Sequence, residues 1–206
     1  MLKVWGRVNS INVQKVLWAL AELKVPYERV DAGMAFGIVN EPFYKKMNPN
    51  GRVPTIDDDG VVLWESNAIV RYLAAKHGAG TLWPTDLATR ADSDRWMDWA
   101  TFHVGPVIGP VFWGLVRTPA AERDLSAIAA GADKTAEQFR VLEACLEGRR
   151  YVAGPEFTMG DIVVGVNVHR WYALEVKRPQ LANVEAYYAR LGERPGFRAH
   201  VMLPLT

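Results

Sequence analysis

Arg52-Val-Pro-Thr-Ile-Asp57, followed by Leu63-Trp-Glu-Ser-Asn-Ala-Ile69, reads as a strand entered through a proline, a tight hairpin, a second strand and a polar pair opening a helix. The ring of Pro54 disfavours helical geometry at Val53, so the chain must enter the strand extended. An extended backbone at a strand edge can pair with the backbone of a peptide ligand. Ser66 stands where the helix begins, with Glu65 just ahead of it. A helix N-terminus with a hydroxyl and unpaired N–H groups favours a carboxylate, and the glutamate favours an ammonium. A ligand with an α-amino-acid end and a peptide backbone would satisfy all of these groups.

Toward the N-terminus the pattern alternates. Leu2–Trp5 reads as a short strand, and Asn12–Leu23 carries Val13, Val16, Leu17, Leu20 and Ala21 at helical spacing. Tyr27–Asp31 reads as a second strand and Pro42–Met47 as a short helix, before the turn cluster Asn48-Pro-Asn-Gly51. Thr55–Asp57 and Val61–Leu63 flank Asp58-Asp-Gly60, a hairpin signal. Ser66–His77 is again amphipathic through Ala68, Ile69, Tyr72 and Leu73. The order βαβ, then ββα, is that of a thioredoxin-like domain over residues 1–77, with Gly78–Thr85 as a linker.

From residue 86 to residue 206 the reading is helical throughout, so the fold class is α/β plus all-α. Trp96, Trp99 and His103 mark one helix face, and Gly105-Pro106 and Gly109-Pro110 either bend that helix or split it in two. Thr118-Pro119 is expected to open the next helix, with the ring in the first turn, and Gly148 to close it. Thr158–Trp171 and Asn183–Leu191 are further helices, and Arg194-Pro-Gly-Phe197 a turn. Thr158 and Asp161 have the spacing of a capping box, with Phe157 and Ile162 placed as its hydrophobic staple.

Composition sets the bounds. The chain has 206 residues, half of them hydrophobic, and eight tryptophans. Lys plus Arg is 24 against 23 Asp plus Glu, a balance that argues against broad binding to nucleic acid or anionic membrane. Cys145 is the single cysteine, so no intrachain disulfide can form, and a reducing, cytoplasmic setting is expected. No apolar run reaches the roughly 20 residues needed to span a bilayer. His103 has no His, Cys or carboxylate at ligand spacing, so no metal site is expected.

Five segments together carry a family resemblance: Ser10-Ile-Asn-Val-Gln-Lys-Val16, Asn48-Pro-Asn-Gly-Arg-Val-Pro-Thr55, Trp64-Glu-Ser-Asn-Ala-Ile69, Arg95-Trp-Met-Asp-Trp99 and Phe157-Thr-Met-Gly-Asp161. In this order and spacing the chain resembles a bacterial cytosolic glutathione transferase of the serine, theta-like type over nearly its whole length. The resemblance implies a cis Val53–Pro54 bond, a homodimer, and glutathione as co-substrate facing a variable hydrophobic pocket.

It also implies roles. Ser10 matches the serine that favours the glutathione thiolate. Its place between the first strand and the first helix suits that role, and equally suits a plain N-cap. Asn12 stands where many serine-type members carry proline; its amide either donates to the sulfur or faces solvent, and it leans toward disulfide reduction. The loop has no cysteine, so bound glutathione must supply the sulfur, and no Gly-x-Ser-x-Gly elbow surrounds Ser10. Val53, ahead of Pro54, is expected to pair with the cysteinyl backbone, Glu65 and Ser66 to hold the γ-glutamyl end, and Arg52 or Lys45 the glycyl carboxylate. Asp98 is a candidate to reach across the dimer. The second-substrate pocket is expected from Phe102, His103, Pro106, Phe112, Trp113 and Trp171, some of which must be core. The function implied is conjugation of glutathione to small hydrophobic electrophiles. The alternatives are a glutathione-dependent disulfide reductase or peroxidase, and a non-catalytic binding protein of the same fold.

Overall fold

The computed structural model describes residues 1–206. Its N-terminal part is a four-stranded sheet in the order β2-β1-β3-β4, formed by β1 (Leu2–Trp5), β2 (Tyr27–Val30), β3 (Thr55–Asp58) and β4 (Val61–Trp64). β2 runs parallel to β1, which requires a crossover, and α1 (Ile11–Leu23) supplies it. β3 pairs antiparallel with both β1 and β4. The β3–β4 hairpin turns through Asp59 and Gly60, both at positive φ as such a tight turn demands, with Asp57 accepting the Gly60 N–H at 2.7 Å. Leu2, Val4 and Ile56 meet α1 and α3 (Ser66–His77) in a nine-residue core that includes Val13, Leu17 and Ile69. α2 (Pro42–Met47) completes this part.

The helical part begins with a surprise. α4 (Leu87–Trp99) and α5 (Gly105–Phe112) run on as one 31-residue helix to Arg117, with π-type turns at Ala100–Val104 and Trp113–Arg117. The two Gly-Pro pairs therefore neither end nor split the helix. Pro106 and Pro110 both lie on its exposed face, where water can satisfy the carbonyls that a proline leaves unbonded. The first π turn widens the helix just where the Pro106 ring would crowd the preceding turn. By length and composition this helix could cross a bilayer, which corrects the expectation that no segment is long enough; here it packs against α6 and α7 inside the helical part.

α6 spans Leu125–Cys145 and is opened by Asp124, whose side chain accepts the Ala127 N–H at 2.9 Å. Thr118-Pro119 instead leads into a single 3₁₀ turn at Ala120–Glu122, and Leu146 rather than Gly148 caps the far end. α7 (Met159–Ala173) starts at the expected Thr158–Asp161 capping box. α8 spans Ala182–Gly192, and the expected turn at Pro195 is a short helix, α9 (Pro195–His200), with the proline in its first turn.

α1 joins the two parts. Trp18 is fully buried in the larger, 35-residue core, with ring centroids 5.4 Å from Phe157 and 4.7 Å from Phe197. Its indole donates to Glu22 at 2.7 Å, and Glu22 in turn pairs with Arg194 at 2.6 Å. Gly165 of α7 makes this approach possible, since a methyl group there would stand 2.8 Å from the Trp18 ring. Sheet and bundle thus hold a fixed relation, and a cleft lies between them.

Candidate active site

Two uncapped helix N-termini meet beside that cleft: α1 lines it through Ser10 and Asn12, and α3 reaches Asn12 through Ser66. At α1, Ser10 takes the N-cap position but its hydroxyl makes no cap hydrogen bond, and the N–H groups of Ile11, Asn12 and Val13 have no partner in the chain. At α3 the same holds for Ser66, Asn67 and Ala68, with Glu65 preceding them at φ +69°. α4, α6 and α7, by contrast, are each capped by an acidic side chain. Positive φ in a non-glycine residue costs of order 1–3 kcal/mol and clusters at binding sites. Unsatisfied N–H groups with the helix dipole behind them make both ends receptive to negative charge.

The two ends are tied together from beneath. Ser66 Oγ donates to Asn12 Oδ1 at 3.3 Å and accepts from Lys15 Nζ at 3.3 Å; Lys15 also donates to Asn67 Oδ1 at 3.1 Å. Lys15 is almost wholly buried, and burial, with Arg170 adding to it, brings its pKa down to about 8. Nothing in the family resemblance pointed to Lys15. The available signal was a lysine inside the apolar run Val13–Leu20 of α1, a place where an unpaired charge is costly.

Val53 presents the third element. Its peptide bond to Pro54 is cis, and its N–H and C=O find no hydrogen-bond partner within the protein. The loop is pinned from behind. The Tyr44 hydroxyl and the Asn48 amide each donate to the Arg52 carbonyl at 2.8 Å, and both groups also bond Thr55 Oγ1. Ordinary secondary structure would have used the Val53 backbone groups; here they are held free just ahead of β3.

Ser10, Asn12, Arg52 and Val53 line one cleft of about 420 Å³, together with Arg7, Met34 and Trp113. A second cavity of about 260 Å³ lies beyond Asn12, which walls both, and includes Lys15, Thr101, Asn167 and Arg170. Ser10 and Ser66 are nearly buried, while Asn12, Arg52 and Glu65 are exposed. Pro54 is buried behind Val53. The Lys45 ammonium lies against Gly51 at the rim.

The expected second-substrate pocket is largely redistributed. Trp113 is exposed and lines the cleft. Trp171 is fully buried, stacked on Phe139 at 5.4 Å, and Phe112 is likewise a core residue. Phe102, His103 and Pro106 lie on the exposed face of the long helix and do not line the cleft holding Ser10 and Val53. The reason is the unbroken helix, in which Val104 faces the core while Phe102, His103 and Pro106 face outward. Arg7, Met34 and Val39, none conspicuous in sequence, take the vacated places. Asp98 is bonded to Arg71 of the same chain at 2.9 Å, beside the Arg71–Asp94 pair.

Known proteins share this fold. The glutathione S-transferase N-terminal domain model matches residues 1–75 and the C-terminal domain model residues 126–190. The chain is 42% identical to glutathione S-transferase GstB of Escherichia coli K12 over the full length of both. It belongs to the glutathione S-transferase family. It is also 30% identical to glutathione S-transferase 3 of Zea mays, over 97% of this chain and 93% of that one. Its fold overlays that of a theta class glutathione S-transferase from Xanthomonas axonopodis pv. citri, with glutathione bound, at a TM-score of 0.96 and 46% identity, covering 100% and 99% of the two chains. The chain is therefore a glutathione S-transferase by family, with a thioredoxin-like N-terminal part and a helical C-terminal part, and glutathione conjugation is the family's general reaction.

Proposed function

We propose that this glutathione S-transferase conjugates reduced glutathione to small electrophiles, with Ser10 favouring the thiolate. The observation that carries the reading is the uncommitted hydroxyl of Ser10, at an uncapped helix N-terminus, sharing a cleft with the unpaired backbone of Val53. In this reading the γ-glutamyl carboxylate lies on the α3 N-terminus and Ser66, and its ammonium near Glu65. The cysteinyl unit pairs with Val53, and the glycyl carboxylate faces Arg52. The free amide nitrogen of Asn12, which opens onto both cavities, favours disulfide reduction as a second reading on the same site.

Glutathione titration calorimetry and conjugation assays with an aryl halide, an epoxide and a small disulfide test this. Ser66→Ala is expected to weaken glutathione binding about tenfold or more, as loss of a hydrogen bond to a charged group does. Unchanged affinity in that variant would remove the γ-glutamyl assignment. Binding without turnover on any of the three acceptors would leave a non-catalytic binding protein.

We also propose that the protein is a homodimer. In the Trp-rich Arg95–Trp99 segment Trp96 is buried and the exposed side chains are the charged Arg95 and Asp98, so it offers less apolar surface than its sequence suggests. Support comes instead from the sheet edge, where Val61, Val62 and Trp64 of β4 are exposed, and from exposed Phe43 of α2. Sedimentation at micromolar concentration should report twice the 23.0 kDa of one chain, and Trp64→Glu should shift it toward one. A monomer that still binds glutathione would refute the assembly.

A further inference from the structure

Three arginines from three separate elements gather beside the cleft of Ser10 and the cavity beyond Asn12, with nothing to neutralise them. Arg7 comes from the loop after β1, Arg117 from the second π turn and Arg170 from α7. No carboxylate lies within ion-pair range of any of them, and none of the three side chains donates a hydrogen bond within the protein. Elsewhere in the chain, Arg29, Arg71, Arg95, Arg149 and Arg194 all pair with carboxylates. The Nε atoms of Arg7, Arg117 and Arg170 are all buried and unpartnered.

Aromatic side chains hold Arg117 and Arg170 in place without discharging them. The Arg170 guanidinium sits 4.1 Å from the Phe112 ring centroid; that of Arg117 is 5.8 Å from Phe112 and 6.0 Å from Trp113. Trp113 and Arg7 both line the cleft of Ser10, and Arg170 lines the cavity beyond Asn12. Burial, with Arg117 adding to it, lowers the pKa of Arg7 and takes that of Arg170 down to about 10. Desolvated like charges repel one another and are costly to assemble. A guanidinium presents five donors matched to a planar carboxylate, so an unpaired set beside a cleft is suited to an anion.

We propose that the acceptor side of this cleft selects electrophiles bearing a carboxylate, which Arg7 binds directly and Arg117 and Arg170 reinforce. This deepens the transferase reading and rests on it. In the reaction the glutathione thiol has given its proton to water. The thiolate sulfur bonds to the electrophilic carbon, and the leaving group departs with the electron pair of its own bond. The carboxylate is a handle and does not change.

The test uses a pair of nearly equal shape, 4-chloro-3-nitrobenzoate and 4-chloro-3-nitrobenzamide, in which sulfur replaces chlorine and chloride is released. Each kcat/KM is divided by the uncatalysed rate constant for the same acceptor. The wild type is expected to favour the benzoate about tenfold or more, and both Arg7→Gln and Arg117→Gln to collapse that ratio toward unity. Equal efficiency toward both acceptors would overturn the inference while leaving the transferase reading intact. So would an Arg7→Gln variant that loses both activities in parallel, because Arg7 would then act on the thiolate. A raised KM for glutathione with the acceptor ratio unchanged would assign Arg7 to the glycyl carboxylate and equally overturn it. Binding of the unreactive pair 3-nitrobenzoate and 3-nitrobenzamide to glutathione-saturated wild type, read by tryptophan fluorescence, needs no variant. If neither chloro compound is turned over, this binding pair alone decides the anion preference, tighter benzoate binding supporting it and equal binding overturning it, while the transferase reading stands or falls on the three-acceptor assay.

Discussion

Replacing Asp161 with alanine is expected to cost about 4 kcal/mol of stability, well beyond the roughly 0.5–2 kcal/mol of an ordinary helix cap. Asp161 is completely buried. One oxygen accepts from Val152 N–H at 3.0 Å and the Tyr187 hydroxyl at 2.9 Å, and the other from Thr158 N–H at 2.8 Å. Alanine would leave all three donors buried and unpaired, each costing roughly 1–3 kcal/mol before relaxation. Against a typical total of about 5–15 kcal/mol, that is a large share. The residue also links elements that the cap alone would not: the turn at Val152, the start of α7, and α8 through Tyr187. Urea and thermal melts of Asp161→Ala measure the loss, and a midpoint like the wild type would remove the argument. Glutathione affinity of the folded fraction should be unchanged, because the cluster lies outside the cleft.

The same carboxyl carries a pH signature. Burial pushes its pKa up to about 6, with the hydrogen bonds from Val152, Thr158 and Tyr187 opposing that rise. An unfolded aspartate titrates near pH 3.9, so between about pH 4 and 6 the folded chain holds more protons than the unfolded one. The stability contributed by the protonated group is therefore present in full below about pH 4 and is lost as the pH rises through about 6. Asp161→Asn removes the titration, although its amide N–H groups then face other donors. The margin of wild type over Asp161→Asn should shrink from pH 4 to pH 7. A margin that grows instead would mean that the hydrogen bonds outweigh burial.

Local chemistry made the sheet legible from sequence. Pro54 before a strand, Asp59-Gly60 in a two-residue turn and the apolar spacing of Val13 to Leu20 each specify backbone geometry within a few residues. The long helix was only partly legible, because local rules allow a Gly-Pro pair either to bend a helix or to break it. What decides the outcome is position: both rings lie on the solvent face, and a π turn precedes the first. Phe102, His103 and Pro106 were expected in the acceptor pocket from the family resemblance alone; they lie on the exposed face of the helix and do not line the cleft of Ser10. Trp171 and Phe112 were ambiguous for another reason, since an aromatic residue at helical spacing fits a core and a pocket equally well. Arg7, Lys15 and Arg170 were invisible as a group. Arg170 lies far from Arg7 and Lys15 in sequence; the packing of α1 against α7 sets it in one cavity with Lys15, beside the cleft that Arg7 lines.

Ser10→Ala is expected to lower conjugation turnover ~10²–10³-fold while leaving glutathione affinity within a few-fold. Affinity is supplied elsewhere in the proposed site, by Ser66, Glu65 and the Val53 backbone. A free thiol near pKa 8.5 is mostly protonated at neutral pH, and lowering it by about two units takes roughly 2.7 kcal/mol. A hydroxyl donor at an uncapped helix N-terminus is of that order. The hydroxyl is available because it caps nothing, and it sits in a nearly buried position where water replaces it poorly. Asn12 is the necessary control. Its side-chain oxygen is taken by Ser66, so Asn12→Ala should release Ser66 and raise the KM for glutathione more than it lowers kcat. Thiolate absorbance against pH, with glutathione saturating, separates the two: Ser10→Ala should shift the titration upward and Asn12→Ala should leave it in place. If Asn12→Ala shifts and Ser10→Ala does not, the amide nitrogen is the donor and Ser10 only shapes the loop. If neither moves, the free N–H groups of Ile11, Asn12 and Val13 hold the thiolate alone, and Ser10 has no catalytic role.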